Sequence, residues 1–303
     1  MNDSRGVTHH FTVDVEESFQ VAALEPFVDR AQWENIPSRV EGSVKLLLDL
    51  LAEHRAQATF FVLGWLAQRR PQMVRDLIAA GHEIASHGSD HKRVTQMQPA
   101  EFRHSVRDSK LRLEDACGRA VIGYRAPSFS IVRGGEWALE ILVEEGYRYD
   151  SSLYPIRRPG YGFAGGRRDP HTIETSAGPL HEFPPATLRA GPAILPAGGG
   201  AYFRHLPYGL VDSGLRAAEQ RGVAGTFYIH PWELDHEQPR IDVPLITRMR
   251  HYGNLERTVP RLRRLLSRFR FQSIASTLER GSLAANSVNP GALSDFRPAR
   301  NGA

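Results

Sequence analysis

Cysteine is almost absent from this chain. Its 303 residues include only Cys117, so no internal disulfide can form and no thiolate cluster can hold zinc. Any metal must therefore be held by histidine and carboxylate groups, and Cys117 is expected to pack as a small apolar residue. Long hydrophobic runs are missing too: no stretch reaches the roughly 18 apolar residues of a membrane span. The start, Met1 to His10, is polar and lacks the apolar stretch of a signal peptide. The expectation is a cytoplasmic protein. Lysine is scarce, and nearly all basic residues are arginine, with a formal net charge of only +4. Arg261, Arg263, Arg264, Arg268 and Arg270 form the densest cluster, interleaved with Leu262, Leu265 and Leu266. That spacing reads as the solvated face of a helix, so no nucleic-acid partner is expected.

What is present is an alternation of short apolar runs and amphipathic segments. The length suits one large domain or two small ones. Strands are expected at Phe11 to Val15, Ala58 to Leu63, Glu83 to Ser86, Gly123 to Arg125, Tyr147 to Asp150, Gly225 to His230 and near 269 to 275. Helices are expected after Ser38, which can cap with Glu41 as its partner, at Met73 to Ile78, and over 99 to 116, 134 to 145, 206 to 221 and 258 to 268. Residues 156 to 200, rich in Gly, Pro and Arg, read as long loops with some short strands. Residues 281–303 read as a mobile tail behind a domain spanning 1–280. Strand-then-helix repeats imply an α/β fold: a distorted (β/α) barrel of about seven parallel strands with outer helices. Asp14, His87, Arg125, Asp150 and His230 all fall at strand exits, the end of such a barrel where active sites collect.

Three features carry chemistry. In Asp14-Val15-Glu16-Glu17, the period of a strand puts Asp14 and Glu16 on one face. Two carboxylates there can divide labour, one binding a metal and one taking a proton; a solvated strand end would look the same. In His87-Gly88-Ser89-Asp90-His91, two histidines four apart can converge on one cation, on a helical turn or in a tight loop. In Phe227-Tyr228-Ile229-His230-Pro231-Trp232, an apolar strand delivers one histidine at its exit. Beside a metal it could serve as a general acid; alone it would more often be structural. Gly198-Gly199-Gly200 lacks the Lys and Ser or Thr of a phosphate loop and reads as a tight turn near the substrate groove.

These residues resemble the polysaccharide deacetylases that share the NodB homology domain, over about residues 9 to 275. The stretch Gly81-His82-Glu83-Ile84-Ala85-Ser86-His87 with His91 is similar to the metal motif of that family. Arg125-Ala126-Pro127 is similar to its arginine motif, and Ile229-His230 to its late histidine motif. Within the family, the resemblance is strongest to a subgroup encoded with exopolysaccharide and exosortase-type systems. It is carried by Thr12 to Val21, Tyr149 to Pro155, Gly198 to Arg204, His230 to Glu233 and His251 to Leu255. One departure stands out: the family has two adjacent aspartates, whereas Val15 follows Asp14 here.

The resemblance implies a metal-dependent hydrolase that removes N-acetyl groups from aminosugars. Its partner would be an acetylated aminosugar polymer or a lipid-linked glycan, met through peripheral membrane contact. A divalent metal, zinc by expectation, would sit on Glu16, His87 and His91, with Glu17 or Asp14 as the alternative carboxylate. Asp14 would be the base, paired with Arg125, and His230 the acid, oriented by Asp150. Ser128 would offer its backbone N–H to the oxyanion. Apart from the resemblance, Tyr154, Tyr202 and Trp232 are aromatic residues that could stack on sugar faces, and each reads equally well as core. The rival readings are a hydrolase of a non-sugar linear amide and an inert glycan-binding protein. Oligomeric state is not legible.

Overall fold

The computed structural model describes residues 6–281 and 287–288. Seven strands form its parallel core: β1 Thr8–Val15, β2 Thr59–Val62, β3 Glu83–Ser86, β4 Gly123–Tyr124, β5 Tyr149–Asp150, β7 Gly178–Glu182 and β10 Thr226–Ile229. They run in the order β10-β1-β2-β3-β4-β5-β7. Just past β7, Pro185 bridges Thr226 in parallel, and the Ala186 N–H donates to the Thr226 carbonyl at 2.9 Å. The sheet thereby meets its own first strand, as a barrel requires.

Strand β1 shows how the pattern builds this. Phe11, Val13 and Val15 join the main core under the helices. Alternate residues point the other way, so His10, Thr12 and Asp14 face the barrel interior, and all are buried. Inside, Phe61, Ala85, Tyr149 and Phe183 pack as a separate cluster, and the Arg125 guanidinium lies 4.2 Å over the Phe61 ring. A strand buried on both faces is the normal state of a parallel sheet.

Residues 156 to 200, expected as long loops with some short strands, hold four strands. Strands β6 His171–Thr175 and β7 form one antiparallel hairpin, and β8 Thr187–Ala190 with β9 Ala193–Pro196 form another. The strand near 269 to 275 is β11 Arg270–Gln272, followed by helix Ile274–Glu279. Helices Gly64–Arg69 and Leu245–Tyr252 were not legible: the first is short, and the second exposes Leu245, Ile246 and Met249 and buries only His251 and Tyr252 at its end. The helix after Ser38 begins at Val40 without a side-chain cap. Ser38 gives its hydroxyl to Glu17 instead, and the Glu17 carboxylate also accepts the Arg39 N–H at 3.2 Å. Of the expected tail, Ser287–Val288 pairs in parallel with β6; 282–286 and 289–303 lie outside the described residues.

Candidate metal centre and active site

The exit of β1 delivers Asp14 and Glu16, and that of β3 delivers His87. The chain then turns back through Gly88 and His91, both at positive φ (79° and 61°). A non-glycine residue held there costs roughly 1–2 kcal/mol, and such strain tends to collect at functional sites. The turn is therefore a tight loop, not a helical turn. It brings His91 Nε2 within 2.6 Å of Glu16 Oε2.

Glu16, His87 and His91 each offer a ligand atom, all within 4.8 Å of one another, and all three residues are buried. Glu16 Oε2 has no hydrogen-bonding partner despite the nearby imidazole. Two atoms that converge without donor geometry fit a pair of ligands aimed at one cation. His87 donates from Nδ1 to the Arg125 carbonyl at 2.9 Å, which turns Nε2 into the cluster. Burial, outweighing the pull of Asp14 and Glu16, lowers the His87 pKa to about 4, so the ring is neutral and able to ligate at pH 7. Burial alone would raise the Glu16 carboxyl, but the His91, His230 and His87 rings together hold it at about 2. The donor set suits a divalent metal. Glu17 faces the helix at Val40 and takes no part.

Asp14 is held from the opposite side. Arg125, fully buried, donates through Nη1 to Asp14 Oδ1 at 2.6 Å and to Thr12 Oγ1 at 2.8 Å. Its Nε and Nη2 reach the Ser151 carbonyl at 3.1 Å and the Ser151 hydroxyl at 2.7 Å. This leaves Asp14 Oδ2 toward His230, whose Nε2 lies 3.9 Å away.

His230 is oriented by Glu233, whose Oε1 is 2.6 Å from Nδ1. Burial would lower the His230 pKa, but the Glu233 hydrogen bond and the charges of Glu16, Glu233 and Asp14 raise it to about 9. Glu233 is in turn fixed by Arg204, with Nε donating to Oε2 at 2.5 Å and both side chains buried. The remaining Arg204 donors reach the His251, Gly253 and Arg250 carbonyls at 3.1, 2.6 and 3.2 Å.

Several expectations need correction here. Asp150 does not orient His230: its Oδ1 accepts the Ser152 hydroxyl at 2.5 Å. It stands beside Glu182 in the interior, where burial raises both carboxyls. Trp232 is close to the site but cannot stack on a sugar. One face covers His230 (centroids 5.2 Å apart) and the other covers His251 (4.4 Å), while its Nε1 donates to Glu16 Oε1 at 3.0 Å. Tyr154 is fully buried behind the wall, packed on Phe129 and Tyr228. Glu233, Arg204 and His251 were given no role from sequence, although all three lie in segments that carried the family resemblance.

Asp14, Glu16, His87, His91 and His230 share the floor of a cavity of about 540 Å³. Ser128 and Tyr202 also line it, and Ser128 and Phe129 are consecutive left-handed residues at its edge (φ 56° and 52°). Tyr202 is placed by the glycine run. Gly199 (φ 133°) and Gly200 (φ 58°) lie so close to β10 that a Cβ on Gly199 would come within 1.8 Å of the Tyr228 carbonyl oxygen.

Residues 33–148 match the family model described as Polysaccharide deacetylase, and residues 151–279 match a domain of unknown function, DUF3473. The barrel runs through both segments, and Asp14 and Glu16 precede the first. A chitooligosaccharide deacetylase of Bradyrhizobium sp. (strain ANU 289) is 34% identical over 98 residues, covering 32% of this chain and 42% of the relative. The match thus spans about two fifths of that relative's length. A Mycobacterium smegmatis structure described as a polysaccharide deacetylase superposes with a TM-score of 0.62 at 19% identity, covering 96% of this chain and 95% of that one. An allantoinase structure gives a TM-score of 0.60 at 17% identity, covering 92% and 91%. At these identities the two solved structures establish the fold alone, an α/β barrel. The family model over 33–148 covers less than half of the chain, and with the chitooligosaccharide deacetylase relative it shows that this segment is similar to polysaccharide deacetylases.

Proposed function

We propose that the chain is a metal-dependent hydrolase that removes N-acetyl groups from the aminosugars of a polysaccharide or its lipid-linked precursor. We place it in an exopolysaccharide system of the exosortase-associated kind. The observation that carries this reading is the buried Glu16, His87 and His91 cluster, flanked in one open cavity by Asp14 on Arg125 and His230 on Glu233. Glu16, His87 and His91 would hold a divalent metal, zinc by its donor preference. When bound, it supplies Lewis acidity and makes a water easier to deprotonate.

The chain's own groups account for the proton movements. Asp14, fixed through Oδ1 by Arg125, takes a proton from the attacking water through Oδ2. The water oxygen adds to the acetyl carbonyl carbon, and the Ser128 backbone N–H is offered to the carbonyl oxygen as charge builds on it. His230, protonated at neutral pH, delivers its proton to the amide nitrogen as the carbon–nitrogen bond breaks. Acetate and a free sugar amine leave. A cation on Glu16 would cancel part of the pull that raises His230, bringing its pKa down from about 9 toward the working pH, where an acid is most effective.

Tyr202 is the aromatic ring suited to contact the sugar. Helix Leu245–Tyr252 exposes Leu245, Ile246 and Met249 beside the cavity-lining Arg250 and His251. That apolar patch with flanking arginines supports peripheral contact with a membrane carrying a lipid-linked glycan. No helix among the described residues is long and apolar enough to cross a membrane. The test is acetate release from N-acetylglucosamine oligomers compared with hydrolysis of non-sugar linear amides. The proposal expects acetate from the oligomers. Turnover of the amides alone would replace the sugar reading, and oligomer binding without acetate would favour the inert binding protein.

A further inference from the structure

The charges around the cavity do not cancel. Asp14, Glu16, Arg93, Arg158, Arg204 and Arg250 all line it. Asp14 is neutralised by Arg125, Glu16 faces the imidazoles, Arg93 pairs with Glu25 at 3.1 Å, and Arg204 pairs with Glu233. Arg158 and Arg250 remain. Neither has a carboxylate within ion-pair distance among the described residues, although both belong to a molecule that pairs many of its surface arginines.

Arg158 is tied to a pair of phenols. Arg158 Nε donates to the Tyr202 hydroxyl at 3.0 Å, and the Tyr202 and Tyr161 hydroxyls are 2.5 Å apart. Arg250 is close enough to bear electrostatically on Tyr161. The result is two uncompensated guanidinium groups and two hydroxyls on one rim, above a floor that carries the acetyl-cleaving groups. Guanidinium is the side chain best matched to carboxylate and phosphate oxygens, which it can engage two at a time. Both are exposed, so water solvates them in the free protein, and they present positive charge without a paired carboxylate to an anion entering the cavity. Neutral sugars give them nothing to bind.

We propose that the Arg158, Tyr161, Tyr202 and Arg250 rim is an anion subsite, so that the substrate carries a negative charge close to the acetamido group that is hydrolysed. This rests on the deacetylase reading above. The charge can come from the carboxylate of a neighbouring uronic acid or from the phosphate of a lipid-linked sugar.

The experiment compares three probes on the full chain: a neutral N-acetylglucosamine oligomer, an oligomer alternating N-acetylglucosamine with glucuronate, and N-acetylglucosamine 1-phosphate. Kd is measured by calorimetry without added metal, and kcat/KM by acetate release with zinc, for the native chain and for Arg158→Ala/Arg250→Ala. The native chain should bind at least one anionic probe about tenfold or more tightly than the neutral one, with the preference fading as salt rises. The double variant should reduce the preference to near unity. A preference for glucuronate identifies the polymer source, and one for phosphate the lipid-linked source. Equal Kd for all three probes in the native chain, or a preference that survives the double variant, would overturn the proposal. The Kd preference with no acetate from any probe would leave the subsite standing and remove the deacetylase reading instead.

Discussion

The two walls of the cavity are built by different physics. The wall from β1 and β3 places Glu16, His87 and His91 through backbone: strand exits set two of them and a left-handed turn sets the third. The wall from 200 to 253 places His230 through a buried chain of charges, Arg204 to Glu233 to His230, and through the ring stack of His230, Trp232 and His251. Strand ends are rigid and hold ligands aimed at one point. A buried ion pair holds its partners only while both members are present, because either one alone is an uncompensated charge. The first wall should tolerate changes outside its ligands, whereas the second should fail as a unit.

That contrast can be broken at several points. Asp14→Asn removes the proposed base and leaves the Glu16, His87 and His91 cluster in place. Acetate release should fall about 10²- to 10⁴-fold while metal content, measured by elemental analysis, stays at the native level; metal loss would mean that Asp14 is itself the carboxylate ligand. Arg204→Ala strands Glu233, and thermal or urea unfolding should report a loss of about 3–5 kcal/mol; a change below about 1 kcal/mol would refute the account of the second wall. Trp232→Phe keeps the ring stack but deletes the Nε1 donor to Glu16. Metal affinity should drop about 10- to 100-fold, measured by competition with a chelating dye, which would link the two walls through one hydrogen bond.

The smallest expected change is in pH dependence. In the proposed mechanism His230 must be protonated to act, so activity should be present below its pKa and lost as pH rises through it. Glu233 is one of the anions that lift that value to about 9. Glu233→Gln should therefore move the alkaline limb of kcat/KM to lower pH, with the deficit growing as pH rises from neutrality. An unmoved limb would take the acid role away from His230.

Much of the first wall was legible in sequence, because strand exits and a period of two place Asp14, Glu16 and His87 without knowledge of tertiary contacts. The pairing of Arg125 with Asp14, taken from the family resemblance, is present at 2.6 Å. The second wall was harder to read. Asp150 has the strand-exit signature of a site residue, yet its neighbours are Ser152 and Glu182, which only the barrel closure brings together. Whether Glu233 or Asp150 meets His230 depends on a three-residue turn after β10, and no periodicity encodes that. Trp232 carried the composition of a sugar platform, but both its faces are covered by histidines from different segments. Ser38 carried a capping signature that a carboxylate 21 residues earlier in the chain, Glu17, had already taken up.

In the proposed mechanism hydrolysis depends on one metal site formed by Glu16, His87 and His91. The most direct test measures bound metal and acetate release from the same samples: native chain, chelated chain, zinc-restored chain and His87→Ala. The expected result is one metal per native chain, loss of acetate release on chelation, recovery with zinc, and neither metal nor activity in His87→Ala. Acetate release that survives chelation, or full metal content in His87→Ala, would contradict it.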